Sequence, residues 1–85
     1  MPYTSVQYFR HACQNIVDHQ DAKAVNWAVN RAKQGLLCTD NYPDIPIGVE
    51  KLKTRALYIL TNITHWRGPI ASETRSILKN IKELS

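Results

Sequence analysis

Two stripes of apolar residues at helical spacing lie on either side of a helix stop, the segment Trp66-Arg67-Gly68-Pro69. Both stripes recur at steps of three and four residues, the spacing of one face of an α-helix. The first comprises Val49, Leu52, Ala56, Ile59, Leu60, Ile63 and Trp66, and the second comprises Ile70, Thr74, Ile77, Leu78, Ile81 and Leu84. Gly68 can take the left-handed conformation that ends one helix, and Pro69 suits the first turn of the next. The pattern predicts an αα-hairpin with helices near residues 48–67 and 69–84.

The first half of the chain carries the same kind of pattern. Thr4 and Gln7 have the spacing of a capping box, in which two side chains satisfy backbone donors at a helix start. This predicts a helix over residues 4–18 with a buried face formed by Val6, Phe9, Cys13, Ile16 and Val17. A second helix over 21–36 is predicted to follow, capped by Asp18 or Asp21 and ended by Gly35 in a left-handed cap. Its alanine-rich stripe would let a neighbouring helix approach closely, and consists of Ala22, Val25, Ala28, Val29, Ala32 and Leu36.

Residues 38–48 contain two prolines and three Asp or Asn residues, the composition of a long loop. Tyr42, Ile45 and Ile47 alternate with the turn residues, as in a loop that packs its own side chains on the domain. We therefore predict a single all-α domain over residues 1–85, a compact antiparallel four-helix bundle built from two αα-hairpins joined by this proline-containing loop. The alternatives are a more open orthogonal packing of the hairpins, and a dimer whose helices complete one core.

Size and composition narrow the class of protein. A chain of 85 residues has material for one core, and 44% hydrophobic with 21% charged residues is typical of a folded soluble protein. The longest apolar run, Ala56 to Leu60, is far shorter than the ~20 residues of a membrane span, and the first residues lack a secretory pattern. Cys13 and Cys38 are too few for a secreted disulfide scaffold and are expected to be free thiols. A cytoplasmic location is therefore expected.

Motifs for metal binding or catalysis are absent from the sequence. His11, Cys13 and His19 offer no pair at the i, i+4 spacing that converges on one ion, and His65 suits the carbonyl end of a helix dipole. There is no glycine-rich phosphate loop, no nucleophile elbow and no acidic pair on one helical face. We therefore expect no metal, no cofactor and no enzymatic activity.

Two rows of basic residues run along the predicted third and fourth helices. Eleven Lys and Arg against seven Asp and Glu give a formal charge of +4, a mild bias towards anionic partners. The first row contains Lys51, Arg55 and Tyr58, and the second contains Arg75, Lys79 and Lys82. Such rows can contact phosphates, and a tyrosine among them can stack on a base. The simpler alternative is that each row is the charged outer face that any soluble helix needs.

Trp27 lies opposite the apolar stripe of the predicted second helix, among Lys23, Asn30, Arg31 and Gln34. Three explanations compete: the 38–48 loop covers the indole, another protein chain covers it, or it stacks on nucleic acid or another ligand. Interfaces are enriched in tryptophan and arginine. The leading hypothesis is a small self-associating protein–protein interaction module, and the alternative is a nucleic-acid-binding accessory protein that uses the basic rows.

Overall fold

Residues 5–40 and 48–84, which the computed structural model describes, fold into four α-helices without a β-strand. The helices are α1 (Ser5–Asp18), α2 (Val29–Cys38), α3 (Val49–Thr61) and α4 (Pro69–Lys82), and a 3₁₀ helix, Lys23–Val25, precedes α2. Helix α1 packs against α2 and α4, and α4 also packs against α3, whereas α2 and α3 meet over a smaller area. The prediction of a compact all-helical bundle is confirmed, while the antiparallel hairpin arrangement stays a prediction.

The core is built from the apolar faces of the four helices. The predicted face of α1 is confirmed, because Val6, Phe9, Cys13 and Ile16 are buried and Val17 packs against them. Most of the predicted stripes of α3 and α4 are buried as well, and the buried members are Leu52, Ala56, Ile59, Ile63, Trp66, Thr74, Leu78 and Ile81. Hydrophobic burial on all four helices therefore holds the bundle together.

Two predicted core positions are wrong. Val49 is 45% exposed and Ile70 is 36% exposed, each in the first turn of its helix. In α4 the first buried residue is Ala71, and Ile70 lies one residue before it, at the edge of the buried face.

The second helix begins at Val29 rather than near residue 21, and the 3₁₀ helix and a turn occupy the intervening residues. The predicted caps at Asp18 and Asp21 are wrong, since Ala28 precedes α2 without any side-chain hydrogen bond. Ala22, Val25 and Ala28 still face the core, at steps of three residues. A 3₁₀ helix has three residues per turn, so this spacing suits a 3₁₀ helix as well as an α-helix. The predicted apolar stripe is therefore confirmed for these residues, whereas the prediction that they belong to an α-helix is wrong.

Gly35 lies inside α2 and marks a close approach to α1. A Cβ atom at this position would lie 2.9 Å from two carbons of the Phe9 ring and 3.1 Å from the Cys13 Sγ. The predicted close approach through small residues therefore occurs. The predicted left-handed cap at Gly35 is wrong, because among the described residues only Gly68 has a positive φ.

Arg10 satisfies the carbonyl end of α2 in place of a glycine cap. Its Nη1 donates to the Leu36 carbonyl and to Thr39 Oγ1, each at 2.8 Å, and its Nη2 lies 3.2 Å from Asp40 Oδ1. The hydroxyl of Thr39, which is 1% exposed, donates to the Gly35 carbonyl at 2.8 Å. The Thr39 backbone N–H also donates to the Gly35 and Leu36 carbonyls, at 3.2 and 3.3 Å, and the guanidinium places positive charge where the helix dipole favours it.

Helix α3 ends at Thr61, before the predicted stop. Thr61 Oγ1 and Asn62 Nδ2 both donate to the Tyr58 carbonyl, at 2.9 and 2.8 Å, so these side chains replace continued backbone bonds. Ile63 and Trp66 reach the core from the turn that follows, with 0% and 6% exposure.

Gly68 has φ 116° and stands immediately before Pro69, at the N-terminal cap of α4. The predicted role of Pro69 is confirmed, whereas the prediction that Gly68 closes α3 is wrong. Thr4 and the loop segment 41–47, including Tyr42, Ile45 and Ile47, lie outside the described residues.

A buried polar contact joins α1 to α4. Asn15 Nδ2 donates to Thr74 Oγ1 at 3.1 Å, and this hydroxyl in turn donates to the Ile70 carbonyl at 2.7 Å. Thr74 is 0% exposed, so its hydroxyl depends on these partners.

We expect Gly35→Ala to destabilise the protein, although alanine inside a helix is ordinarily favoured over glycine by about 0.5–1 kcal/mol. The added methyl group lies 2.9 Å from two carbons of the Phe9 ring, which is 0% exposed, so the ring must shift inside the core. Overpacking of this kind costs about 1–3 kcal/mol, so the net change in the free energy of unfolding should be a loss. Urea unfolding followed by circular dichroism measures it.

The control is Gly48→Ser, because a Cβ at Gly48 meets nothing within 4 Å and serine is a good N-cap residue. This control should be neutral or slightly stabilising. A Gly35→Ala protein as stable as the wild type would contradict the packing described for α1 and α2.

Candidate functional site

A groove between α2 and α3 brings together residues from both predicted sets. Arg31 and Gln34 on α2 come from the set around Trp27, and Lys51, Arg55 and Tyr58 on α3 come from the first basic row. The remaining lining residues are Glu50 and Thr54. The groove has a volume of about 480 Å³, which falls within the about 300–1,000 Å³ usual for small-molecule sites.

Helical spacing explains how each helix contributes to this groove. On α3, Leu52, Ala56 and Ile59 are buried, so Lys51, Arg55 and Tyr58 run alongside the core and point to one side of it. On α2, buried Ala32 and Gly35 are the direct neighbours of Arg31 and Gln34 in the same way. The lining side chains are therefore anchored on helices whose opposite faces are packed in the core.

A cation–π contact joins two of the residues that line the groove. The guanidinium carbon of Arg31 is 4.9 Å from the centroid of the Tyr58 ring, within the distance at which a cation is attracted to an aromatic face. Tyr58 is nevertheless 50% exposed. The contact joins α2 to α3 and leaves a flat aromatic and guanidinium surface open to solvent.

The electrostatics of the groove favour an anion. Arg31, Lys51 and Arg55 contribute three cations, and Glu50 contributes one carboxylate. The ion pairs found within residues 5–40 and 48–84 involve Arg10 and His11, so the groove cations have no carboxylate partner there. The groove also includes the first turn of α3, where backbone N–H groups and the helix dipole add positive potential.

Trp27 lies in the turn between the 3₁₀ helix and α2, not on a helix as predicted. Its side chain is 80% exposed, so no described element covers it. The other residues of the predicted set, Lys23, Asn30, Arg31 and Gln34, are exposed as well. The suggestion that the 38–48 loop covers the indole falls mainly on residues outside the described part.

The three residues of the second basic row have different environments in the structure. Arg75 Nη1 donates to the Ile63 carbonyl at 3.3 Å and also to the Trp66 carbonyl, so this side chain supports the turn that follows α3. Lys79 is exposed and Lys82 is half-buried on the same helix. None of these three residues lines the groove between α2 and α3.

Within the described part of the chain, groups with nucleophilic or metal-binding chemistry do not converge. Cys13 is 0% exposed, and burial raises the pKa of its thiol to about 12 despite the opposing charges of Arg10 and Arg55. His11 Nε2 lies 3.2 Å from Glu73 Oε1 at the surface. Over the two described segments, no group of three or more His, Cys, Asp and Glu side chains is placed to hold a metal ion, and no helix is long and apolar enough to cross a membrane.

Tyr8 is a surface residue that the sequence did not single out. It is 39% exposed and stands between two shallow depressions on the α1–α4 side, of about 290 and 310 Å³. Its position four residues before Ala12, which is buried, could have marked it as lying beside the core. The depressions carry mixed polar and apolar side chains without a cluster of charge.

Comparisons with models of protein families, with curated proteins and with solved structures give no match.

We expect Arg75→Met to lower the free energy of unfolding by about 1–3 kcal/mol, because two carbonyls after α3 would lose a charged donor. Thermal unfolding measures this change. The matched control is Lys79→Met on the same helix, which removes the same charge from an exposed position. That change should stay within about 0.5 kcal/mol. Equal effects of the two substitutions would show that the Arg75 contacts do not stabilise the turn.

Proposed function

We propose that this protein is a non-enzymatic helical interaction module that self-associates through a surface centred on Trp27. The observation that carries the proposal is the 80% exposure of this indole. Tryptophan is one of the residues most enriched among those that dominate binding energy at interfaces, because it buries a large area and carries one polar group.

We propose that exposed polar residues near Trp27 in the sequence extend this surface. A standard interface buries about 800 Å² per partner, whereas one aromatic side chain buries about 150–250 Å². Lys23, Asn30, Arg31 and Gln34 are all exposed and supply hydrogen-bonding groups of the kind found around a central anchor. In a two-fold symmetric dimer the same patch would meet itself.

Charge gives this proposal a distinctive salt dependence. Lys23 and Arg31 are both cationic, so a self-complementary contact brings like charges near each other. Salt screens such repulsion, and self-association should therefore strengthen as ionic strength rises. Binding to nucleic acid should weaken under the same conditions, because it depends on release of counterions.

The alternative function, nucleic-acid binding by an accessory protein, is favoured by one observation, the gathering of Arg31, Lys51, Arg55 and Tyr58 along the α2–α3 groove. Three cations beside a half-exposed aromatic ring are the combination used to hold phosphates and stack bases. Arg75 contributes less to this alternative than its sequence position implies, since its guanidinium is engaged by backbone carbonyls.

We also propose a cytoplasmic location. Cys13 and Cys38 are both free thiols, the first buried and the second exposed. Unpaired cysteines are usual in reducing compartments.

Sedimentation of wild type and Trp27→Ala tests the leading proposal. We expect the wild type to form a dimer, and the substitution to cost at least ~2 kcal/mol of association because it removes the central anchor. The control is Leu37→Ala, which truncates another exposed apolar side chain, 71% exposed, on α2. It should leave the mass in solution unchanged. A monomeric wild type across the accessible concentration range would contradict self-association.

A further inference from the structure

We propose that the groove between α2 and α3 binds a nucleotide unit, either a free nucleotide or one residue of a single-stranded nucleic acid. The base would stack on the surface formed by Arg31 and Tyr58, and the phosphate would contact Lys51 and Arg55. This inference narrows the nucleic-acid alternative to one site and one kind of ligand, and it does not require self-association.

The shape of the groove fits a ligand with a flat part and a charged part. Its volume of about 480 Å³ is in the range of small-ligand sites. Tyr58 is 50% exposed with the Arg31 guanidinium 4.9 Å from its ring centroid, so a planar group has an aromatic and a guanidinium surface to stack on. Bases stack on both kinds of surface.

The charges of the groove fit a phosphate. Lys51 and Arg55 lie four residues apart on α3, which places them on the same side of the helix one turn from each other. Neither has a carboxylate partner among the ion pairs of the described residues. Glu50 and Lys51, which line the groove, lie in the first turn of the 13-residue helix α3, where the helix dipole contributes positive potential.

Two further side chains suit a base better than a simple anion. Gln34 carries both donors and an acceptor, and Glu50 accepts hydrogen bonds only. A carboxylate accepts from exocyclic amino groups of bases, whereas it repels a phosphate. The mixture of one carboxylate with three cations therefore favours a nucleotide over inorganic phosphate or an acidic peptide.

Binding of four probes to the full chain tests the inference: adenosine monophosphate, an eight-nucleotide single strand, inorganic phosphate and a glutamate-rich peptide. Titration calorimetry at low salt should show binding of the first two above the level of phosphate and peptide. Tighter binding by the oligonucleotide, with an affinity that falls as salt rises, would identify a single strand as the ligand. Equal affinity for the monophosphate would identify a free nucleotide.

Variants of the groove separate stacking from charge. Tyr58→Leu should weaken oligonucleotide binding by roughly 5- to 100-fold through loss of one stacked base, whereas Tyr58→Phe should keep the affinity within about twofold. Arg55→Gln should weaken binding and lower the slope of log affinity against log salt by about one. The matched control Lys33→Gln, which removes a charge from an exposed residue of α2 that does not line the groove, should change the affinity by less than about twofold.

Several outcomes would overturn the inference. Phosphate binding as tight as the nucleotides, without any effect of Tyr58→Leu, would reduce the groove to a simple anion site. Preference for the glutamate-rich peptide would assign the groove to a protein ligand. No binding of any probe would also reject it.

Trp27→Ala distinguishes this inference from self-association. The substitution should abolish dimer formation while leaving nucleotide binding at least as tight as in the wild type, because Arg31 and Gln34 belong to both proposed surfaces and are released when the dimer is lost. Loss of nucleotide binding in Trp27→Ala would place the ligand at the indole and overturn the assignment to the groove. A monomeric wild type that binds nucleotide would reject self-association and support the groove.

Discussion

The contact between Gly35 and the Phe9 ring sets the separation of α1 and α2, and much of the remaining structure depends on that separation. A hydrogen atom in place of a side chain lets the ring lie against the backbone of α2. At this distance Arg10, the neighbour of Phe9, can reach the Leu36 carbonyl and the Thr39 hydroxyl. Helix α1 also packs against α4, so the position of α2 relative to α1 carries through to the rest of the bundle.

The connection between α3 and α4 is held by a second set of contacts. Ile63 and Trp66 anchor this connection because they are buried in the core, and Arg75 donates hydrogen bonds to the carbonyls of the same two residues. His19, in the turn after α1, lies 5.6 Å from Trp66 between ring centroids, so the two turns contact each other. The connection between α3 and α4 is not a regular helix. Burial of Ile63 and Trp66 and the donor groups of Arg75 stabilise it instead.

Periodicity in the sequence was sufficient to predict the helical class and most of the buried faces. The core contains residues that the helical spacing of apolar side chains predicts to be buried, such as Phe9 and Ile16 on α1, Ile59 on α3 and Leu78 on α4. Helix boundaries were less predictable, because side chains such as Asn62 compete with the backbone and because steps of three residues suit two kinds of helix.

The groove shows a different limit of sequence-based prediction. The sequence predicts that the residues of the first basic row lie on one side of α3. Their proximity to Arg31, however, depends on how α2 packs beside α3. Spacing within a helix places residues on a face, whereas contact between two helices depends on packing that a single stripe does not encode. Arg75 illustrates the same point, since only the folded turn shows that its charge is engaged by carbonyls.

The hydrogen bond from Asn15 to the Thr74 hydroxyl bears on the choice among alternative packings of the same helices. Apolar faces rich in Ile, Leu and Ala attract each other without strong direction, and a slide of α4 by one turn along α1 would still bury hydrocarbon. Such a slide would break the hydrogen bond that Asn15 Nδ2 donates, at a cost of about 0.5–1.5 kcal/mol, while Thr74 would still donate to the Ile70 carbonyl of its own helix. One hydrogen bond between an amide and a hydroxyl thereby favours one register for two helices whose apolar surfaces alone would permit several.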